Sequence, residues 1–427
     1  MEGRKLGFWE TGAALLHEEA SGAGTLFASA HIRGKIDPAL LKEALYLLFE
    51  RHPLLRATIQ EEGEELYFRL NADFASIPVL FLPRRGQEHF LTLGEEEMGQ
   101  RFPTKKYLWK VTLLSEGETN ELLLLFHHSI IDGFSCVHFI DELLRLYTEL
   151  DLQTFGQIEP LPLLPSVEQL LAVHPSKEAI AREMTALLRR AGGSIDYQTF
   201  APFAERKTKN QIAVLPLETL QKIKTSCSQR KLNVNSLLYA SLLLSLRKFL
   251  GKSLDPLVIT PINLRHFCEP KLTEEPLGGF ISYVSDCLGP VEENTQLWQL
   301  AERYEKRLHE QIPKLAFLPA QFQKGELARI APLFFDIAAL KDKRAFTSAC
   351  CVTNKGHFAF PDLYGALKLE AFFVTSSRVA GQTMINLSVT SVLDRMFLCF
   401  SYCHPLACKD SVEAIAKECL TLLSRLE

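Results

Sequence analysis

The feature that most constrains the fold is a run of apolar residues that leads directly into a short polar motif. Residues 121–126 contain four consecutive leucines and a phenylalanine, the pattern of a strand buried on both faces. The motif HHSIIDG follows at once at 127–133, and residues 135–150 then carry apolar side chains at helical spacing. The sequence therefore predicts that the motif lies on a loop between a buried strand and a helix, where rigid elements hold functional side chains.

The chemistry of the motif centres on His128. An unperturbed imidazole titrates near pH 6.5, so it can take and return a proton at working pH, and positioned proton transfer is worth roughly 10²–10⁴-fold in rate. Acyl transfer from a thioester to an alcohol or amine needs one such base and no nucleophile on the enzyme. We therefore assign His128 as the general base. Asp132 and Gly133 are expected to shape its loop, Gly133 through backbone angles or close approach forbidden to other residues. We assign no catalytic role to His127.

These residue types also occur in other kinds of site. Two buried core histidines at a strand end would be purely structural. A metal site is disfavoured, because adjacent histidines near a strand point to opposite faces, and His138 with Glu142 supplies only two ligands. No G-x-S-x-G elbow of a serine hydrolase is present. A cluster of potential zinc ligands near the C-terminus comprises Cys399, Cys403, His404 and Cys408. Its spacing fits no common zinc site. We expect no metal.

Composition narrows the class of protein. The 427 residues exceed what one hydrophobic core usually serves, so two domains are expected. A net charge of −4 argues against a nucleic-acid partner. The longest apolar stretch, 234–250, holds too many polar residues to cross a membrane, and residues 1–16 do not resemble a signal peptide. Ten scattered cysteines suggest reduced thiols and a cytoplasmic location.

Strand and helix patterns alternate in both halves of the chain, which predicts a mixed α/β (α+β) fold. The expected domains are an N-terminal lobe with the motif at 1–165, a crossover at 166–200 and a C-terminal lobe at 201–427. The predicted strands are 25–33, 57–60, 65–70, 121–126, 211–215, 257–262, 348–353, 367–374, 383–392 and 397–401. The predicted helices are 39–51, 135–150, 176–190, 217–230, 235–250, 298–311 and 411–425.

The motif resembles the HHxxxDG signature of a superfamily of CoA-dependent acyltransferases. That superfamily holds condensation domains of nonribosomal peptide synthesis, alcohol O-acetyltransferases, plant-type acyltransferases and mycobacterial phthiocerol dimycocerosyl transferases. Further segments are similar to the same superfamily: 34–37, 51–56, 235–250, 260–265, 277–280 and 353–356. The resemblance thus extends over most of the chain.

This resemblance implies two chloramphenicol-acetyltransferase-like lobes with a central channel and His128 midway along it. It implies that Asp132 turns away from the substrates and pairs with Arg265, and that Asn354 is a candidate contact for the thioester carbonyl or the tunnel. The co-substrate would be an acyl-CoA or acyl-carrier-protein thioester, with no permanently bound cofactor. The basic runs 206–209 and 341–344 either meet the phosphates of CoA or form solvated loops.

The substrates are less constrained than the reaction. No carrier-protein motif accompanies the lobes, which favours a stand-alone, monomeric O-acyltransferase with a small-molecule alcohol as acceptor and an acyl carrier protein as a second candidate partner. Two alternatives stay open at this point. The chain could form amides like a condensation enzyme, or it could bind a lipid or carrier protein without catalysis.

Overall fold

The computed structural model describes residues 2–171, 195–315, 342–392 and 394–426. The predicted helix at 176–190 and Lys341 lie outside these residues. The strands are β1 Gly3–Lys5, β2 Thr25–Arg33, β3 Ala57–Glu62, β4 Glu65–Leu70, β5 Val79–Pro83, β6 Trp109–Glu116, β7 Thr119–His127, β8 Ile195–Asp196, β9 Lys207–Leu215, β10 Leu257–Asn263, β11 Ile281–Cys287, β12 Ala345–Phe346, β13 Ser348–His357, β14 Lys368–Ser376, β15 Thr383–Val392 and β16 Arg395–His404.

The helices of the described residues are α1 Phe8–Glu19, α2 Pro38–Arg51, α3 His89–Met98, α4 Gly133–Asp151, α5 Val167–Leu170, α6 Leu217–Gln229, α7 Val234–Leu250, α8 Leu297–Leu315 and α9 Lys409–Ser424. The mixed α/β class predicted from the sequence is confirmed. None of the helices in this part of the chain combines the length and the apolar character that a membrane span requires.

The chain divides into two compact units. Unit 1 comprises Met1–Ala172, Arg265–Phe280 and His357–Ser377, and unit 2 comprises Val173–Leu264, Ile281–Gly356 and Arg378–Glu427. The sequence-based boundaries at 165 and 201 differ from this division, since they assign all later residues to the second lobe. Residues His357–Ser377 fold with unit 1 because β14 pairs with β2, with Lys368 opposite Arg33 and Ser376 opposite Leu26. Residues Arg265–Phe280 are held there by contacts of Arg265 and Phe280 with Asp132.

Unit 1 is built on a five-stranded sheet in the order β14-β2-β7-β6-β5. The pairing is antiparallel except between β5 and β6. The predicted buried strand is the centre of the sheet, because the leucines of β7 and Phe126 are almost completely buried. Ring contacts of Phe126 with Trp109 and Phe139 join β7 to β6 and to α4. The centre of the sheet therefore leads straight into the motif.

The entry to α2 is set by local signals in the sequence. Asp37 caps the helix by accepting a hydrogen bond from the backbone N–H of Ala39 at 2.7 Å, and Pro38 is the first helical residue. Strands β3 and β4 form an antiparallel hairpin, and β1 adds to β4 on its other side. Strand β3 continues to Glu62, two residues beyond its predicted end at 60.

Unit 2 is built on a six-stranded sheet in the order β11-β10-β13-β15-β16-β9. Helix α7 packs against α8 and α9, and its Tyr239 is fully buried. The hydroxyl of Tyr239 lies 2.5 Å from the carbonyl oxygen of Ile259 on β10. Cysteines are plentiful in this unit, and all ten cysteines of the chain are free thiols.

Candidate active site

The motif forms the loop between β7 and α4 in unit 1, as the sequence predicts. Ile130 and Ile131 are fully buried and anchor the loop to the core. The backbone N–H of His128 donates to the carbonyl of Gly24 at 2.9 Å. Gly133 is the first residue of α4 and does not belong to the residues with a left-handed backbone. The expectation of a backbone angle special to glycine at Gly133 is therefore wrong, while a close approach at Gly133 stays a prediction.

The His128 imidazole is half-buried and held in one tautomer. Its Nδ1 lies 2.8 Å from the carbonyl oxygen of Ile131. Because a carbonyl oxygen only accepts, Nδ1 must carry the hydrogen and Nε2 must carry the basic lone pair. The indole of Trp9 and the imidazole form an edge-to-face pair, with ring centroids 5.2 Å apart and the planes at 84°.

His127 has a different environment from its neighbour. Its side chain is fully buried, and its Nδ1 accepts from the backbone N–H of Ser129 at 3.2 Å. Burial holds the pKa of His127 well below its ordinary value, and nearby His17 and His128 lower it further. His127 is therefore neutral at working pH. The interpretation as a buried core histidine describes His127 but not His128.

His17 on α1 is a buried neighbour of the motif that the sequence analysis did not single out. Its ring lies 4.5 Å from that of His127. Its Nε2 accepts from the backbone N–H of Phe102 at 2.8 Å, and its Nδ1 faces the carbonyl of Ala23 at 3.2 Å. Burial lowers the pKa of His17 to about 4. His17 thus joins α1 to the strand end behind the motif.

The ion pair implied by the resemblance is present within unit 1. Asp132 is fully buried, Arg265 is 2% exposed, and the Asp132 Oδ2 to Arg265 Nη1 distance is 2.9 Å. The same carboxylate accepts from the backbone N–H of Ser135 at 2.8 Å and of Phe280 at 3.0 Å. Asp132 is therefore both the N-cap of α4 and the partner of a buried cation, and it holds the loop rather than facing solvent.

Ser135 is a second residue that the sequence analysis missed. Its Oγ accepts from Arg265 Nη2 at 2.6 Å and from the backbone N–H of Gly278 at 3.2 Å. It thereby ties the first turn of α4 to the glycine turn at 277–280. The available signal was its position three residues after the capping aspartate, where a helix start concentrates polar contacts.

Two other candidates lie in unit 2. Asn354 is on β13, and its side-chain oxygen accepts from the backbone N–H of Gly356 at 3.0 Å; its contact with a thioester carbonyl stays a prediction. Arg206 is 4% exposed, its Nε donates to the carbonyl of Ala201 at 2.8 Å, and its guanidinium lies 4.5 Å from the ring centre of Phe203. The interpretation of Arg206 as a phosphate contact or a solvated side chain is wrong, because it is a buried structural cation.

The residues considered as metal ligands have other partners. His138 pairs with Glu274 at 2.9 Å, and Glu142 pairs with Arg51 at 2.6 Å and His52 at 2.8 Å. Over 2–171, 195–315, 342–392 and 394–426, no group of three or more histidine, cysteine or acidic side chains is arranged to hold a metal ion.

Comparisons with known proteins find similarity to one family over part of the chain. Residues 16–166 match the model of the condensation domain. Cyclosporin synthetase simA of Tolypocladium inflatum is 30% identical over 136 residues, which are 31% of this chain and 1% of that synthetase. The chain thus spans a very small part of that relative.

Two solved structures resemble the chain along its whole length. Polyketide synthase associated protein 5 of Mycobacterium tuberculosis has a TM-score of 0.72 at 18% identity and covers 100% of both chains. The trichothecene 15-O-acetyltransferase TRI3 of Fusarium sporotrichioides has a TM-score of 0.77 at 13% identity and covers 99% of this chain and 94% of its own. Residues 16–166 are therefore similar to the condensation domain, and the chain as a whole shares the fold of these solved structures.

Proposed function

We propose that this chain is an acyltransferase that moves an acyl group from a thioester, on CoA or a carrier protein, to a hydroxyl acceptor. His128 is the general base, and no covalent acyl-enzyme forms. The observation that carries the proposal is the hydrogen bond between His128 Nδ1 and the carbonyl of Ile131, because it leaves Nε2 as the basic atom of a half-exposed imidazole.

The reaction balances with His128 as its only proton carrier. Nε2 takes the hydroxyl proton as the acceptor oxygen attacks the thioester carbonyl carbon. The tetrahedral intermediate then collapses, the carbon–sulfur bond breaks, and the imidazolium returns the proton to the leaving sulfur. The products are an ester and a free thiol, and His128 is neutral again. Asn354 is our candidate for polarising the carbonyl in this scheme.

The case for a hydroxyl acceptor rests on what each acceptor needs from a base. A hydroxyl is a poor nucleophile until its proton is removed, so it depends on the base at the moment of attack. A neutral amine already offers its lone pair and loses its proton after attack. An imidazole fixed in one tautomer therefore accelerates transfer to a hydroxyl more than transfer to a neutral amine.

Asp132 and Arg265 act through the loop in this proposal and do not touch the substrates. Their ion pair, the bond from the backbone N–H of Phe280 and the Ser135 contacts hold the start of α4. A reactive group must be held within about 0.5 Å of its productive position, and a displacement near 1 Å can cost about 10²-fold in rate.

The test is a panel of acyl-CoAs, from acetyl to palmitoyl, with small alcohols and the matched primary amines. Thiol release is followed with DTNB, and the acyl product is identified by mass spectrometry. The proposal predicts one thiol per ester, with the unmodified mass of the protein retained during turnover. Stable mass gain by one acyl group would refute direct transfer, and donor binding without thiol release would point to a binding protein.

Amide formation is the second candidate, and the condensation-domain match at 16–166 favours it. The same base and the same loop would serve an amine acceptor. Faster product formation with the amine than with the matched alcohol, under conditions where the amine is neutral, would select this function over ester formation.

A further inference from the structure

We propose that Trp9 is a positioning residue for His128 and that strand β1 and the N-terminal end of α1 hold Trp9 in place. This inference rests on the proposed function, since it assigns Trp9 a share in keeping the base in its productive orientation. It concerns a residue outside the motif, on a helix that the sequence analysis did not predict.

The geometry of the two rings is the first argument. The hydrogen bond from Nδ1 to the carbonyl of Ile131 fixes one atom of the His128 imidazole, and side chains packed against the ring help to set its plane. The Trp9 indole stands at 84° to the imidazole with centroids 5.2 Å apart, an edge-to-face arrangement that aromatic pairs prefer. The indole therefore contributes to the orientation of the imidazole plane.

The glycine turn makes room for Trp9. A Cβ added to Gly279 would lie 2.5 Å from Cδ1 of Trp9, closer than real atoms approach, so only glycine allows the indole to sit there. The neighbouring residues of this turn bind the motif and the first turn of α4, since the N–H of Phe280 donates to Asp132 and that of Gly278 donates to Ser135. The turn thus contacts both the loop of His128 and the ring beside it.

The N-terminal end of α1 is fixed by charged groups. Glu10 accepts from the backbone N–H of Gly7 at 2.6 Å and pairs with Arg4 at 2.6 Å. Arg4 Nε also donates to the carbonyl of Leu164 at 2.8 Å. Glu168 accepts from the backbone N–H of Phe8, the residue immediately before Trp9. Strand β1 and the segment 164–168 therefore hold the one turn of helix that presents the indole.

The base carries the acceptor proton only during the transfer step, when its Nε2 must face the acceptor and then the leaving sulfur. A ring that keeps the imidazole in place is therefore expected to act in the transfer step more than in binding of the donor.

The test compares Trp9→Ala, Trp9→Phe and the control Trp298→Phe. Trp298 lies in unit 2, with the guanidinium of Arg230 4.2 Å from its ring centre. We expect Trp9→Ala to lower kcat about 10–100-fold with the donor KM within about 2-fold of the parent. Trp9→Phe should keep kcat within about 5-fold, and Trp298→Phe should not change it. Unchanged kcat in folded Trp9→Ala, or a loss confined to KM, would overturn the inference.

A second readout does not depend on turnover. Protonated imidazole quenches indole emission, so tryptophan fluorescence should show a step as His128 titrates. The step should persist in Trp298→Phe and vanish in Trp9→Phe and in His128→Gln. Its persistence in Trp9→Phe would refute the ring contact. If His128→Gln keeps its turnover, the proposed function is refuted. A fluorescence step that is present in the parent and absent in Trp9→Phe would still support the ring contact, so the two failures can be distinguished.

Discussion

Removing the Asp132 carboxylate tests the claim that the motif aspartate holds the loop. The carboxylate accepts from two backbone N–H groups and pairs with Arg265, which is 2% exposed. Asp132→Ala would leave that guanidinium buried without its partner, which typically costs about 3–5 kcal/mol. Loss of the helix N-cap adds about 1 kcal/mol. We expect the free energy of unfolding to fall by roughly 4–6 kcal/mol, a large share of the about 5–15 kcal/mol of a typical domain.

Urea unfolding followed by circular dichroism measures this loss. The matched control is Glu218→Ala, which breaks the exposed pair of Glu218 and Lys222 at 3.0 Å on α6 and should cost less than about 0.5 kcal/mol. Asp132→Ala combined with Arg265→Met should recover part of the stability, because no buried cation then remains unpaired. A single Asp132→Ala variant as stable as the Glu218→Ala control would refute the structural role of the pair.

Two further predictions concern buried groups away from the substrates. Burial lowers the pKa of His17 to about 4 in the folded state, so the unfolded chain takes up the proton first as pH falls. The contribution of neutral His17 to the free energy of unfolding is complete above about pH 6.5 and is lost progressively towards about pH 4. In His17→Gln, the unfolding free energy should therefore fall less steeply over this pH window. A fall as steep as that of the parent would contradict the prediction. Arg206→Ala should lower the unfolding free energy by about 2–3 kcal/mol, because it leaves buried carbonyls without a hydrogen-bond donor. The KM for acyl-CoA should stay constant. A raised KM at unchanged stability would instead indicate that Arg206 contacts a phosphate.

Local patterns predicted the elements that carry the motif. The leucine run of β7 and the apolar spacing of α4 each depend on residues close together in the chain, where the periodicity of apolar residues dictates structure. Strand β6 was missed, although Trp109, Val111 and Leu113 alternate and are buried. That alternation is the signal that would have found it.

Local sequence patterns could not predict the contacts between segments that are distant in the chain. The pairing of β14 with β2 joins residues more than three hundred positions apart, so the sequence offered no reason to assign 357–377 to unit 1. The Asp132–Arg265 pair came from the family resemblance and not from spacing. Helix α1 was missed because its N-terminal anchor is Glu168, far along the chain, while its own cap residue is Gly7, which has no side chain to cap the helix.

The central claim is that His128 carries the proton in acyl transfer, and single-turnover kinetics of His128→Gln test it most directly. Both substrates are held at saturation, donor binding is measured separately by calorimetry, and His138→Gln is the control for loss of a half-buried histidine of unit 1. We predict that His128→Gln folds and binds the donor like the parent but transfers the acyl group about 10²–10⁴-fold more slowly, whereas His138→Gln transfers it normally. A His128→Gln variant that transfers at the parental rate would contradict the account.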